Sequence, residues 1–368
     1  MSDDITRVAV LGAGHGGAAA AADLTLRGFE VRLHGRRAER LAPLRDGITL
    51  RGARSGIAKP ALVTTDLAAA VDGADLVMLV VPAVAHERYA RGLAPLLTPD
   101  TIVMLNPGHT GGSLHFATEL RAAGARVLPQ LCESVTLTYI CRMEGPATVA
   151  IYRETTRLRF AALPASRTAQ VVGRLQPLFS NLTPASSVLE TGLMNINAVI
   201  HPAGVMMNTG WTEFTGGDFL FYRESITEAV ARVIEAVDGE RLAVASRLGL
   251  SLPAFIDFFC DAGLTTEEAR RSRSVHRAMR ESAANATIKA PPSLDHRYVH
   301  EDVGSGLVPM SELGRLVGIP TPAMDSLITL ASLAQARDYR ADGLTLARLG
   351  VAGLTADGLL RRVMHESP

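Results

Sequence analysis

The chain has 368 residues, of which 47% are hydrophobic and 20% are charged, a composition typical of a globular protein with room for two domains. Lysine plus arginine and aspartate plus glutamate each number 37, so the net charge is zero and nothing general favours binding to nucleic acid or to an anionic membrane. The three cysteines form no C-x-x-C pair, the N-terminus lacks the features of a signal peptide, and no apolar run approaches the length of about 20 residues that spans a bilayer. We therefore expect a cytoplasmic protein.

Short apolar runs alternate with helix-like stretches in the first half of the chain. Strands are predicted at residues 7–11, 30–33, 74–81 and 101–105, and another is predicted to begin at 126–128. An alanine-rich helix is predicted over 16–27, with Gly28 as its C-cap. Continuous apolar strands separated by helices indicate a doubly wound parallel sheet with helices on both faces.

The second half is predicted to be mostly α-helical. A β-rich segment at 146–152 and a helix at 167–179 come first, and helical patterns dominate after about residue 185. Apolar residues recur at spacings of three and four from Ile226 to Leu248, as they do on one face of an amphipathic helix. Further helices are predicted at 253–262, 265–285, 309–317 and 322–336. We predict an α/β domain over residues 1–184 and a helical domain over residues 185–368.

The turn after the first strand carries Gly12, Gly14 and Gly17 in G-x-G-x-x-G spacing. Such a turn provides a tight bend, a close approach of the backbone to a pyrophosphate and a helix packed tightly on the strand, and the helix amides then face the phosphates. Its place between a strand and a helix predicts a Rossmann-type dinucleotide-binding domain rather than an ordinary loop. His15 in the turn and Pro82 at the end of a later strand are predicted to border the cofactor.

The end of the second strand bears on the choice between NAD and NADP. NAD-selective domains usually have an acidic residue there for the ribose hydroxyls. This sequence reads VRLHGRR instead, which places Arg36 and Arg37 at that corner. Two guanidinium groups suit a 2′-phosphate, although both could equally be solvated loop residues. We predict NADP as the preferred cofactor and NAD as the alternative.

Several segments of the second half share a family resemblance. They read NINAVIHPAGVMMNTG at 195–210, GGDFLFYRE at 216–224, DHRYVHEDVGSGLV at 295–308 and GIPTP at 318–322. The first half adds LNPGHTGG at 105–112 and ESVTLTYICRMEGP at 133–146. In this order, the segments resemble the octopine/nopaline (opine) dehydrogenase family over nearly the whole chain.

The resemblance implies that His201 is the catalytic histidine and that Asp302 is its partner. An imidazole can give or take a proton near neutral pH when a hydride reduces C=N or C=O, and a carboxylate on its other nitrogen fixes the tautomer. Taken alone, a histidine before a proline in an apolar run is commonly a hydrogen-bonded core residue. The adjacent Glu301 leaves open which carboxylate turns inward, and the family pattern favours Asp302.

Three further residues are implied by the resemblance, each with a structural alternative. Asn197, four residues before His201, would contact nicotinamide or substrate, or else make a helix hydrogen bond. Arg297 would clamp a substrate carboxylate, or else form a structural salt bridge. Cys141 would line the amino-acid pocket, or else only pack. No metal site is expected, because the i, i+4 pair of histidines at 296 and 300 follows a proline-rich turn rather than lying within a regular helix.

The resemblance implies an NAD(P)H-dependent reductive condensation of an amino acid with a 2-oxo acid, both small molecules. A ketopantoate-type reductase of 2-oxo acids is the first alternative. That group depends on an active-site lysine, and the only lysines here, Lys59 and Lys289, lack the matching motif. A dinucleotide-binding sensor without turnover is the second alternative. A homodimer formed through the helical domain is a further expectation.

Overall fold

The computed structural model describes residues 4–365. These residues form two compact units, one of residues 4–192 with 361–365 and the other of residues 193–360. Within the described residues, no helix is long and apolar enough to cross a membrane.

The first unit contains two β-sheets. In chain order the strands are β1 (Arg7–Leu11), β2 (Glu30–His34), β3 (Ile48–Gly52), β4 (Gly56–Ala58), β5 (Leu62–Thr64), β6 (Leu76–Leu79), β7 (Ile102–Leu105), β8 (Gln130–Ser134), β9 (Tyr139–Gly145), β10 (Thr148–Glu154), β11 (Leu158–Leu163) and β12 (Leu182–Pro184). The main sheet has eight strands in the order β12-β11-β8-β7-β6-β1-β2-β5, and the smaller one has the order β4-β3-β10-β9.

Helices cover the main sheet and make up most of the second unit. They are α1 (His15–Leu26), α2 (Ala38–Leu41), α3 (Leu67–Val71), α4 (His86–Leu93), α5 (Gly112–Ala122), α6 (Thr168–Leu175), α7 (Val188–Leu193), α8 (Asn197–Met206), α9 (Thr209–Thr215), α10 (Glu228–Arg247), α11 (Phe255–Asp261), α12 (Glu267–Ser272), α13 (Val275–Arg280), α14 (Arg297–Asp302), α15 (Val308–Val317), α16 (Pro322–Ala334), α17 (Tyr339–Asp342) and α18 (Ala356–Met364). Two π-helical turns, Phe221–Ser225 and Val303–Leu307, interrupt the second unit.

The topology of the main sheet places the glycine-rich turn at a switch point. β1 pairs in parallel with β2 on one side and with β6 on the other, and Leu11 at the end of β1 aligns with His34 and Leu79. The carboxyl ends of the three strands therefore share one edge of the sheet. Because the strand order reverses at β1, this edge is where such folds bind ligands.

The predicted fold class, a Rossmann-type sheet followed by a mostly helical domain, is confirmed, and the sheet differs from it in detail. β8 and β11 are antiparallel, so the sheet is not parallel throughout. The strand predicted to begin at 126–128 is wrong: β8 begins at Gln130, after a turn at which Gly124 has a φ of 92°. The smaller sheet was not predicted, because β3 pairs with β10 across a large separation in the chain.

The helical unit is organised around α10, which confirms the amphipathic helix predicted there. Its buried residues include Val230, Ile234, Val237 and Val244. The single helix predicted over 265–285 is wrong, because α12 and α13 are separate helices. Each begins at its own N-cap, Thr266 or Ser274, and Arg273 between them has a φ of 55° that ends the first helix.

Candidate active site

The glycine-rich turn of the first unit fits a dinucleotide pyrophosphate. Gly12 has a φ of 120°, and a Cβ there would lie 2.2 Å from the Val80 carbonyl oxygen. A Cβ on Gly17 would lie 1.6 Å from the carbonyl oxygen of Gly12, so the helix can pack on the turn only without a side chain. Gly14, at the N-cap of α1, has open space where a Cβ would point. The first turn of α1 contains no acidic residue that would repel a phosphate.

His15, the first residue of α1, presents a hydrogen-bond donor at this helix end. Its Nδ1 accepts a hydrogen bond from the Met143 amide at 2.8 Å. Burial, and secondarily the charge of Arg142, lowers the pKa of His15. A neutral imidazole that accepts at Nδ1 carries its proton on Nε2. Pro82, also predicted to border the cofactor, is exposed just after β6.

The corner after β2 carries positive charge. His34 is buried, and its Nδ1 lies 3.2 Å from the Tyr89 hydroxyl. Burial lowers the pKa of His34, so its ring is neutral at neutral pH. Arg36 and Arg37 follow at the surface, and no carboxylate of residues 4–365 forms a salt bridge with either. The nearby Asp66 carboxylate accepts the Ala68 and Ala69 amides and caps α3.

The structure brings His201 and Asp302 together inside the second unit. His201 lies in α8 and Asp302 ends α14, and both are buried. His201 Nδ1 lies 2.7 Å from Asp302 Oδ2. The carboxylate therefore accepts the Nδ1 proton and fixes the imidazole orientation. Glu301, the other candidate partner, is also buried but forms an ion pair with Arg297 at 3.1 Å.

Two tyrosines complete the surroundings of His201. The Tyr222 hydroxyl lies 2.9 Å from His201 Nε2. The Tyr298 ring stacks on the imidazole, with centroids 3.6 Å apart and planes 13° from parallel. Tyr222 belongs to the first π-helical turn, and Asp302 directly precedes the second. Irregular turns of this kind are frequent at functional sites because they redirect side chains.

The remaining predicted site residues lie in both units. Asn197 begins α8, so it shares a helix face with His201 one turn later. The exposed Arg297 begins α14 and already pairs with Glu301. Cys141 lies in β9 and packs on the core of the first unit. Burial, opposed by Arg142, raises the pKa of Cys141 to about 11, so the thiol stays protonated at neutral pH.

Among the described residues, one group has the composition of a metal site. Glu87, His115 and Glu119 place ligand atoms within 4.8 Å of one another. However, Arg91 already pairs with Glu87 at 2.7 Å and with Glu119 at 3.0 Å. The guanidinium of Arg91 therefore already balances the charge of these two carboxylates. His300, considered above for metal binding, is instead bonded to Asp295 and to the Tyr339 hydroxyl.

Comparison with known proteins assigns the chain to a family. Residues 184–335 match the NAD/NADP octopine/nopaline dehydrogenase alpha-helical domain, and residues 7–122 match the NAD-dependent glycerol-3-phosphate dehydrogenase N-terminus. An opine dehydrogenase of Arthrobacter sp. (strain 1C) is 36% identical over 95% of this chain and 97% of its own length. The chain belongs to the opine dehydrogenase family.

Solved structures agree with this assignment at the level of the fold. An octopine dehydrogenase bound to NADH and L-arginine superposes with a TM-score of 0.78 at 22% identity, over 98% of this chain and 99% of that one. A yersinopine dehydrogenase bound to NADP+ superposes with a TM-score of 0.75 at 16% identity, over 95% and 98%. As a member of the opine dehydrogenase family, the chain is an NAD(P)-dependent oxidoreductase that acts on CH–NH bonds.

Sequence reasoning missed Tyr222 and Tyr298 in this family member. Both lie within the segments that carry the family resemblance, at 216–224 and 295–308. Tyr222 is hydrogen-bonded to His201 and Tyr298 stacks on it, and these contacts between residues distant in the chain cannot be inferred from local sequence spacing. The sequence did contain one signal: each of these two segments includes a tyrosine, and a tyrosine near an acid–base histidine is a candidate proton donor.

Proposed function

We propose that this opine dehydrogenase joins an amino acid to a 2-oxo acid and reduces the resulting imine with NADPH in preference to NADH. The observation that carries the proposal is the buried His201–Asp302 pair, with Nδ1 and Oδ2 2.7 Å apart. Reduction of an imine needs a hydride at carbon and a proton at nitrogen. The pair supplies the acid–base half of that chemistry.

The residues of the first unit fit the cofactor. Gly12, Gly14 and Gly17 would let the backbone approach the pyrophosphate, and the α1 amides would face its charge. Arg36 and Arg37 would pair with a 2′-phosphate, since neither is engaged by a carboxylate of the described chain. When bound, the reduced nicotinamide supplies the hydride.

His201 would move the proton at its Nε2. Its Nδ1–H is held by Asp302, which favours the imidazolium form during reduction. The imidazolium gives up the Nε2 proton as the substrate nitrogen gains one, and it returns to neutral imidazole. Such acid–base help is typically worth roughly 10² to 10⁴ in rate.

The other predicted residues would bind substrate. Arg297 would hold a carboxylate with its planar guanidinium, and Glu301 would keep the arginine in position through their 3.1 Å ion pair. Asn197 would offer an amide on the same helix face as His201. Cys141 would line the pocket as a protonated, mostly apolar thiol.

The test follows oxidation of NADPH and of NADH with a panel of 2-oxo acids, each with and without a panel of amino acids. We expect oxidation only when both substrates are present, and a lower KM for NADPH than for NADH. His201→Ala should abolish turnover and leave the Kd for NADPH unchanged. Oxidation with a 2-oxo acid alone would contradict condensation and support a simple keto-acid reductase.

A further inference from the structure

The nitrogen of His201 that would exchange a proton with substrate is covered by a phenol. Nδ1 donates to Asp302, so in the neutral ring Nε2 carries the lone pair. The Tyr222 hydroxyl at 2.9 Å therefore donates its proton to Nε2. Tyr222 is buried, with only 7% of its surface exposed. In this arrangement, Nε2 reaches other groups through Tyr222.

Tyr222 is in turn hydrogen-bonded to Tyr298. Because Tyr222 has one proton and gives it to His201, Tyr298 must donate to the Tyr222 oxygen. Tyr298 is half-buried, whereas Tyr222 is buried. Its ring is fixed on one face by His201 and at its edge by His296, whose ring lies 4.7 Å away at 86°. The Tyr298 oxygen is therefore the outer end of a directed chain of hydrogen bonds.

The chemistry of Tyr222 suits transfer rather than storage of a proton. Burial, together with the negative charge of Asp302, raises the pKa of Tyr222 well above its ordinary value. The phenolate is therefore strongly disfavoured. Tyr222 can give a proton on one side only as it gains one on the other.

We propose that Tyr222 and Tyr298 form a proton relay from His201 to the substrate nitrogen, with Tyr298 as the catalytic residue that touches substrate. Tyr222 does not touch substrate and acts only through Tyr298, so it is a positioning residue. This inference rests on the proposed function, because it concerns the proton that imine reduction consumes.

The relay balances in the direction of reduction. Reduction starts from the imidazolium form of His201, in which Nε2–H donates to the Tyr222 oxygen and Tyr222 donates to Tyr298, the reverse of the neutral arrangement. His201 passes its Nε2 proton to the Tyr222 oxygen, Tyr222 passes its own to Tyr298, and Tyr298 passes its own to the imine nitrogen. The C=N π bond breaks, one N–H bond forms, and one C–H bond forms with the hydride from the cofactor. His201 ends neutral, and each tyrosine keeps one proton.

The competing interpretation is that Tyr222 merely covers Nε2 and gives way when substrate enters. In that case, removing the Tyr222 hydroxyl would leave kcat unchanged or raise it, and removing the Tyr298 hydroxyl would leave kcat unchanged. Tyr222→Phe and Tyr298→Phe separate the two, because each removes one hydroxyl and keeps the ring that packs at the site. Tyr339→Phe is the matched control, since its hydroxyl lies 2.6 Å from His300 Nδ1 in a tyrosine–histidine pair with no part in the relay.

Steady-state kinetics with the condensing substrate pair is the first measurement. We expect kcat to fall about 10- to 100-fold in both Tyr222→Phe and Tyr298→Phe, with the KM for NADPH unchanged and Tyr339→Phe within about twofold of wild type. The rate in H₂O/D₂O mixtures should curve with deuterium fraction, as it does when several protons move together. Wild-type kcat in Tyr298→Phe, or an unchanged or raised kcat in Tyr222→Phe, would overturn the relay.

Nitrogen-15 NMR of histidine-labelled protein tests the chain of hydrogen bonds without turnover. Wild type should show His201 with its proton on Nδ1 and Nε2 as an acceptor. Tyr222→Phe should shift the Nε2 signal, whereas Tyr298→Phe should leave it nearly unchanged and still lose kcat. A proton on Nε2 in neutral wild-type His201 would overturn the relay. Absence of wild-type turnover on any substrate pair would instead count against the proposed function, and the NMR result stands apart from it.

Discussion

Asp302 uses one carboxylate oxygen for His201 and keeps the other, Oδ1, buried without a hydrogen-bond partner among residues 4–365. A buried carboxylate with an unsatisfied oxygen is costly for folding. Its negative charge stabilises an adjacent imidazolium, so the arrangement suits acid–base chemistry better than it suits stability. Polar groups left in this condition are often functional.

The carboxylate charge of Asp302 can be tested by an isosteric change. Asp302→Asn should lower kcat by roughly 10²- to 10⁴-fold, because an amide no longer stabilises imidazolium and can offer N–H to Nδ1, which reverses the tautomer. The Kd for NADPH, measured by fluorescence titration, should not change. Asp295→Asn is the control, since this exposed aspartate also pairs with a histidine, His300 at 2.8 Å. Equal loss in both variants would contradict the assignment.

We expect Arg36 and Arg37 to produce a preference for NADPH over NADH. Replacing both with alanine should raise the KM for NADPH about 10- to 100-fold and leave the KM for NADH nearly unchanged, because only NADPH carries the 2′-phosphate. The ratio of kcat/KM for the two cofactors, measured at fixed ionic strength, checks this. Arg40→Ala is the control, because Arg40 is also an exposed arginine but lies in α2, and this variant should keep the wild-type ratio. An unchanged ratio in the double variant would show that the two arginines are solvated loop residues.

The elements that sequence predicted well are those with a strong local pattern. β1 was predicted with its observed bounds, and α10 followed its apolar spacing. β3 and β4 are short and are completed by pairing with each other and with β10, so their local pattern was weak. At the site, His201 and Asp302 were predicted through their motifs and are paired in the structure. Tyr222 and Tyr298 were not, because their contacts depend on how the helices and π-helical turns pack.

The turn between β1 and α1 offers a way to separate folding from cofactor binding. Gly17→Ala should lower the free energy of unfolding by about 1–3 kcal/mol, because its Cβ would overlap the Gly12 carbonyl oxygen at 1.6 Å. Gly14→Ala should leave stability nearly unchanged, because its Cβ would meet no atom within 4 Å, yet it should weaken NADPH binding by crowding the pyrophosphate. Thermal unfolding without cofactor and NADPH titration give the two readouts. Equal Tm loss in both variants would contradict this separation.

Over the whole molecule, one carboxylate in each unit, Asp75 in the first and Asp325 in the second, holds segments together and has a pKa below its usual range. In the first unit, burial opposes ionisation of Asp75, but hydrogen bonds from the Arg7 and Thr6 amides outweigh it and lower the pKa. In the second unit, partial burial likewise opposes ionisation of the half-buried Asp325, yet hydrogen bonds from Ser311 and Arg340 outweigh it and lower its pKa. Both groups must gain protons when the chain is acidified, so acid should weaken each unit.

Asp75→Asn tests this contribution in the first unit. A lowered folded pKa gives stability that is fully present above the ordinary value of 3.8 and is lost as pH falls through the lower folded value. At pH 7 the variant should be less stable than wild type by about 1–2 kcal/mol, since two amides lose a charged acceptor. The difference should shrink below about pH 4, where wild type also protonates the group. Urea unfolding between about pH 3 and pH 7 measures this difference in the free energy of unfolding.

Asp72→Asn, at a side chain that is 83% exposed, is the control, and its free energy of unfolding should match that of wild type at each pH. A stability gap that stays constant down to the lowest pH would mean that hydrogen-bond geometry, rather than the charge of Asp75, holds the start of β1.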